Sequence, residues 1–171
     1  TFIENTGTAA GTSTSLIINS LNEHYETIKR DKLGVPSGIL TLGFTNPDKV
    51  EAYFSGISKE LAVEALQAAR AYYLGTTSDG TNGLGLDDYL LQAGAEKNGT
   101  SLDVLIQDQF TVALSAVEEL ETPLSVAVNT STEDVQTAYA ETSQLVVLLK
   151  TDMPSTLCVA ITYIDNPSDS D

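Results

Sequence analysis

The sequence predicts an all-α fold, a four-helix up-and-down bundle with short accessory helices. Three observations carry that prediction. Apolar residues recur at three- and four-residue spacing over four long stretches, the period of a helix that buries one face. Turn-forming clusters such as residues 75–85 (GTTSDGTNGLG) separate those stretches. An apolar fraction of 42% over 171 residues is enough for a core without help from disulfides or metal.

Residues 1–12 (TFIENTGTAAGT) are small and polar and read as a flexible leading segment. The bundle domain is expected over 13–164, with an acidic tail at 165–171. The first helix is predicted over 13–32, with Ile17, Leu21, Tyr25 and Ile28 as its core row. Lys29, Arg30 and Lys32 place cations in its last turn, opposite the negative end of the helix dipole. Gly34 and Pro36 stop it. Residues 34–57 are irregular, but the alternation at 39–44 suits a short strand. Asn46-Pro47-Asp48 reads as a turn opening a one-turn helix.

The second helix, 58–74, starts on Ser58 as N-cap. It carries two apolar rows, Leu61 with Ala65, Ala68 and Tyr72, and Ala62 with Leu66, Ala69 and Tyr73. A short helix follows at 86–92, then a break at Asn98-Gly99. The third long helix begins at the capping-box-like Thr100-Ser101-Leu102-Asp103 and runs to Glu121. Ile106, Phe110, Ala113, Val117 and Leu120 line its core face, while Asp103, Gln107, Thr111, Ser115 and Glu118 point away. The fourth starts at Thr130-Ser131-Thr132-Glu133 and carries Val135, Tyr139, Thr142, Val146, Leu149 and Met153 on one face. Pro154 ends or kinks it. Residues 159–164 alternate enough for a short strand, which is expected to pair with 39–44.

A formal net charge of -16 repels phosphate backbones and anionic lipid, so nucleic-acid binding is not expected. No apolar run is long enough to span a membrane. The chain opens on Thr1 without a leader-like stretch, and is expected to be a mature or proteolytic product or a trimmed piece. One cysteine, Cys158, forms no intrachain disulfide and is expected as a small buried hydrophobe. One histidine, His24, lacks the i+4 partner of a helical metalloprotease site, so neither residue seeds a zinc cluster. Asp79-Gly80-Thr81-Asn82-Gly83 starts like a calcium loop but lacks its alternating oxygen ligands and closing Glu. Gly83-Leu84-Gly85 has no preceding strand to make a dinucleotide site. The two Asn-x-Ser/Thr triplets, at Asn98 and Asn129, read as helix entries.

Several segments, in order, resemble the C-terminal half of imelysin-family proteins: Lys29-Arg30-Asp31-Lys32-Leu33-Gly34-Val35-Pro36-Ser37-Gly38, Glu51-Ala52-Tyr53-Phe54-Ser55-Gly56-Ile57-Ser58, Tyr73-Leu74-Gly75 with Gly85-Leu86-Asp87 beyond it, and 145–164 ending in Asp165-Asn166. The second is similar to the family's acidic residue followed by a Phe-Ser-x-x-Ser element. The resemblance implies a bacterial, exported, often lipid-anchored protein of the cell envelope, periplasmic or outer-membrane-anchored and connected with iron or haem uptake. It implies two similar helical-bundle halves with a pocket between them, to which Arg30, Asp31, Glu51, Ser55 and Ser58 contribute by motif position. The family's Gly-x-His-x-x-Glu motif belongs to the N-terminal half and has no counterpart here.

No catalytic residue and no resident cofactor is therefore expected in this chain, with iron or another divalent metal a matter for the full-length protein. The implied partner is the N-terminal half of the same protein or a second copy. Two further readings stand beside this one. In the first, the chain is part of a metallopeptidase whose His/Glu site lies in the other half. In the second, it is a stand-alone interaction bundle with a polar surface throughout.

Overall fold

The computed structural model describes residues 1–162. The helices are α1 (Ser13–Thr27), α2 (Ser58–Tyr73), α3 (Leu86–Ala93), α4 (Leu102–Glu118), α5 (Leu124–Thr130), α6 (Thr132–Val146) and α7 (Met153–Thr156). Two of them change pitch. α1 passes into a π-helical segment, Ile28–Gly34, and α6 into another, Val147–Asp152, which leads into α7.

Cross-helix hydrogen bonds fix the topology. Asn22 Nδ2 donates to the Leu149 carbonyl at 3.1 Å, and Tyr25 donates to the Thr142 carbonyl at 2.9 Å, so α1 and α6 run antiparallel. Lys97 reaches Asp152 while Gln109 reaches the Glu141 carbonyl, which sets α4 antiparallel to α6. Lys59 caps the end of α4 through the Glu118 and Leu120 carbonyls, and Tyr73 meets Asp103 at its start, so α2 and α4 are antiparallel too. With α1 also packed on α2, the four long helices close an up-and-down ring.

The core fills the ring from every side. Ile18, Leu21, Tyr25 and Ile28 come from the first helix, Ala62, Leu66, Ala69 and Tyr73 from α2, Ile106, Phe110, Ala113 and Val117 from α4, and Val135, Ala138 and Leu145 from α6. Phe110 sits at the centre, edge-on to Tyr25 at 6.1 Å and tilted on Tyr73 at 6.0 Å. Burying a side chain of this size stabilises the fold by roughly 1.5–3 kcal/mol.

Several sequence expectations need correction. No strand forms at 39–44, where Gly38, Leu42 and Gly43 take positive φ and the hydrogen bonds are local turns. Residues 159–162 are not a strand either. The small antiparallel pair lies instead at β1 (Glu96–Lys97) and β2 (Thr100–Ser101). Asn98 and Gly99 between them both have positive φ, the requirement of a tight two-residue hairpin turn.

Ile18 rather than Ile17 is fully buried in the first row. Asp103, expected outside, is buried. Cys158, expected inside, is exposed at a positive-φ turn while its neighbours Leu157 and Val159 go in. Neither Ser58 nor Ser101 makes a side-chain cap bond; Ser101 is spent in β2. The fourth long helix starts at Thr132, within the expected Thr130–Glu133 entry, but an unexpected short helix, α5, precedes it and buries Leu124, Ala127 and Val128. Pro154 does not end the helical run. It is buried in the first turn of α7, directly after the chain has widened to π pitch over Val147–Asp152. The expected acidic tail at 165–171, and the last two residues of the 159–164 segment, lie outside the described residues.

Candidate functional site

The π-helical end of α1 carries four consecutive charged residues, Lys29, Arg30, Asp31 and Lys32. Widening the helix turns them to different partners. Lys29 points inward, 2.6 Å from the buried Glu26 carboxylate and 6.0 Å from the centre of the Tyr139 ring. Lys150, on the second π-helical segment, reaches the same carboxylate at 3.3 Å. Arg30 grips its neighbour Asp31 with Nε on Oδ1 at 2.8 Å and Nη2 on Oδ2 at 3.3 Å. Lys32 pairs with Glu51, which arrives from the loop after the one-turn helix Pro47–Lys49.

Glu51 is thereby held at both ends. Its carboxylate takes Lys32 and its backbone carbonyl accepts a hydrogen bond from Ser58 Oγ. Ser58 is buried, and its hydroxyl serves the loop instead of the helix N-terminus. Ser55 is exposed and donates to the Ala52 carbonyl at 3.0 Å, within its own turn.

Asp31 and Glu51 share a hollow of about 270 Å³ with Thr27, Lys32 and Lys49. Of the five residues singled out from sequence, these two line the hollow, Arg30 orients one of them, Ser58 supports the other from behind, and Ser55 stands outside. The run from Lys29 to Lys32 also offered Lys32 as a pocket-lining residue, and it lines the hollow; sequence reasoning missed Lys49 and the Glu26–Lys29–Lys150 cluster. Neither Lys49 nor Lys150 carries a signal in its local sequence.

The loops beside the hollow expose large apolar side chains. Leu42 is 94% exposed, Phe44 74% and Phe54 99%, with Leu40, Tyr53 and Ile57 about half exposed. Both loops are tied to the π-helical segment, one through the Leu40 amide on the Gly34 carbonyl, the other through Lys32 and Glu51.

The donor set does not make a metal site by itself. Asp31 and Glu51 are each committed to a cation, and among the described residues no group of three His, Cys, Asp or Glu side chains converges. His24 lies elsewhere, in a separate apolar hollow with Leu21, Ala68 and Tyr72. No helix among the described residues is long and apolar enough to cross a membrane.

Fold and site together define a helical-bundle module with a charged hollow and an apolar rim at one end. The chain belongs to the imelysin family, whose sequence pattern (imelysin, peptidase M75) matches residues 3–151. Its fold is similar to the crystal structure of an imelysin peptidase from Bacteroides ovatus, with a TM-score of 0.70 and 21% identity. That match takes in 90% of this chain and 43% of the Bacteroides protein, so the chain spans less than half the length of this relative. No curated protein sequence matches the chain.

Proposed function

We propose that the chain is a non-catalytic or accessory part of an imelysin-family envelope protein serving iron or haem uptake, its ligand pocket completed by a second, N-terminal helical bundle. The observation that carries this reading is the exposure of Leu42, Phe44 and Phe54 on the loops beside the Asp31–Glu51 hollow. Large apolar side chains left this exposed on two loops at one end of the bundle suit a face that another body covers. The same exposure counts against a stand-alone bundle with a polar surface throughout. In the covered state Asp31 and Glu51 present oxygen ligands or hydrogen-bond acceptors to the shared space, Arg30 and Lys32 fix their geometry, and Ser58 holds the loop. A Gly-x-His-x-x-Glu helix encoded upstream in the same reading frame would supply the second body.

Sedimentation of this chain mixed with that N-terminal bundle tests the reading. A one-to-one complex is expected, lost in the L42D/F54D double variant without loss of helicity. Haemin or ferric iron added to the complex is expected to bind, and binding is expected to weaken in D31N and E51Q. Absence of a complex between the two bundles would overturn the proposal.

A second reading, that the whole protein is a metallopeptidase with its His/Glu site in the other half, is favoured by the description of the Bacteroides relative as a peptidase. It fails if the full-length protein with metal added cleaves no peptide.

A further inference from the structure

Another hollow lies in a different part of the bundle. α2 and α4 leave a groove of about 540 Å³ between them. Arg70, in the last turn of α2, stands in its wall. Among the described residues every other Lys and Arg side chain has an ion pair or a hydrogen bond: Lys29, Arg30, Lys32, Lys49, Lys97 and Lys150 with carboxylates, Lys59 with two carbonyls. Arg70 has neither, and its Nε is shut off from water with no acceptor. In a chain of net charge -16 an unpaired arginine is conspicuous. The helix dipole favours a cation at this end of α2, but it gives the guanidinium no acceptor.

We infer that this groove binds a small monocarboxylate with a short alkyl tail. A guanidinium presents paired N–H donors in the fork that a carboxylate matches, and a charge-assisted bond of this kind is stronger than a neutral one. Gln67, Thr111 and Ser115 share the groove as neutral polar neighbours for the head group. Ala71, Leu74 and Leu114 supply the apolar wall for the tail. Glu118 lies in the same groove without pairing with Arg70, so a second negative charge on the ligand meets repulsion. That selects a singly charged head over phosphate or a dicarboxylate. The inference stands apart from the proposed function and uses none of its residues.

The test is a titration of the 171-residue chain with 4-methylpentanoate, followed by amide and arginine side-chain NMR shifts. Saturable shifts are expected at Arg70, Ala71 and Leu114. Loss of the charged pair in R70M is expected to weaken binding about 10- to 100-fold. R70M is also expected to melt at or above the parent temperature, because no structural ion pair is lost; a clear fall would show that Arg70 serves the fold and would overturn the inference. Equal binding of 4-methylpentan-1-ol, tighter binding of inorganic phosphate, or no saturable shift in the parent chain would overturn it as well.

Discussion

The phenol of Tyr73, at the end of α2, donates a hydrogen bond to Asp103 Oδ1 at 2.9 Å across the buried start of α4. Gln107 Nε2, one turn on, holds the same carboxylate at 2.9 and 3.0 Å. Burial, the hydrogen bond to Asp103 and the nearby carboxylate charges push the Tyr73 phenol well above its ordinary range, so it stays a donor at any physiological pH. Replacing Tyr73 with Phe keeps the ring against Phe110 and deletes only the donor. A hydrogen bond to a charged group contributes about 1.5–3 kcal/mol, so urea denaturation of Y73F should show that loss with an unchanged denaturant slope. A variant as stable as the parent would mean that Gln107 alone satisfies Asp103.

Glu26 is 3% exposed and carries the opposing charge for both Lys29 and Lys150. The two lysines come from two separate π-helical segments, so one carboxylate ties the end of the first helix to the end of the fourth. Removing the centre of such a cluster leaves two poorly hydrated cations facing each other. Glu26→Ala is expected to cost about 3–5 kcal/mol, the usual result of orphaning a buried charge. Lys150→Met should cost no more than about 1 kcal/mol, because Lys29 stays 2.6 Å from the carboxylate. Equilibrium urea unfolding of the two variants separates these values; equal losses would show that the lysines act independently of Glu26.

Gly34 closes the first π-helical segment, and its backbone is not left-handed. Space explains the residue. A Cβ there would lie 2.7 Å from Tyr139 Cε2 and 2.8 Å from Leu40 Cδ1. Leu40 is half exposed and can swing away, whereas the Tyr139 ring is packed against the core. Gly34→Ala is therefore expected to cost about 1–3 kcal/mol through overpacking. In a Tyr139→Leu background the same change should cost less than it does in the parent. Strict additivity in that double-mutant cycle would rule out the ring as the obstacle.

What the sequence revealed and what it concealed divide along a physical line. The rows Ile106–Phe110–Ala113–Val117 and Ala62–Leu66–Ala69–Tyr73 are read from helical period alone, and both are buried. At 39–44 the alternation of residue types imitates a strand, but Gly38 and Gly43 permit positive φ and the chain turns back on itself. Asn98-Gly99 was a genuine hairpin signal, overlooked because its strands are two residues each. Asp103 defeats the period because donors from Tyr73 and Gln107 make its burial tolerable. In the candidate site the run from Lys29 to Lys32 marked the place, and the family-like segment containing Glu51 marked its partner. Their pairing depends on a loop path that no local periodicity encodes. Lys150 and Glu26 meet between α1 and the π-helical end of α6, and the stretch around Lys150 announces no π turn in its residues.

Asp87 supplies a pH test of the opposite end of the ledger, a carboxylate the fold disfavours. It sits in the first turn of α3, buried, with Oδ1 lacking any hydrogen-bond partner. Burial raises its pKa above the ordinary carboxylate value, and the charges of Asp88 and Asp103 push the same way against the Asp88 backbone amide, which stabilises the anion. A folded-state pKa above the unfolded one means that the native chain binds the proton more tightly. Stability from this group is then fully present below the unfolded value, about pH 4, and is lost as pH rises through the raised folded value. Asn at this position cannot ionise. Asp87→Asn is expected to match the parent near pH 4 and to be the more stable of the two at pH 7, because the amide has no charge to desolvate. Melting curves of both proteins across that range decide it, since the other carboxylates contribute alike to both and cancel in the difference. A constant offset at every pH would assign the effect to shape and packing around Gly85, whose α-carbon lies close to the Asp87 side chain, and not to ionisation.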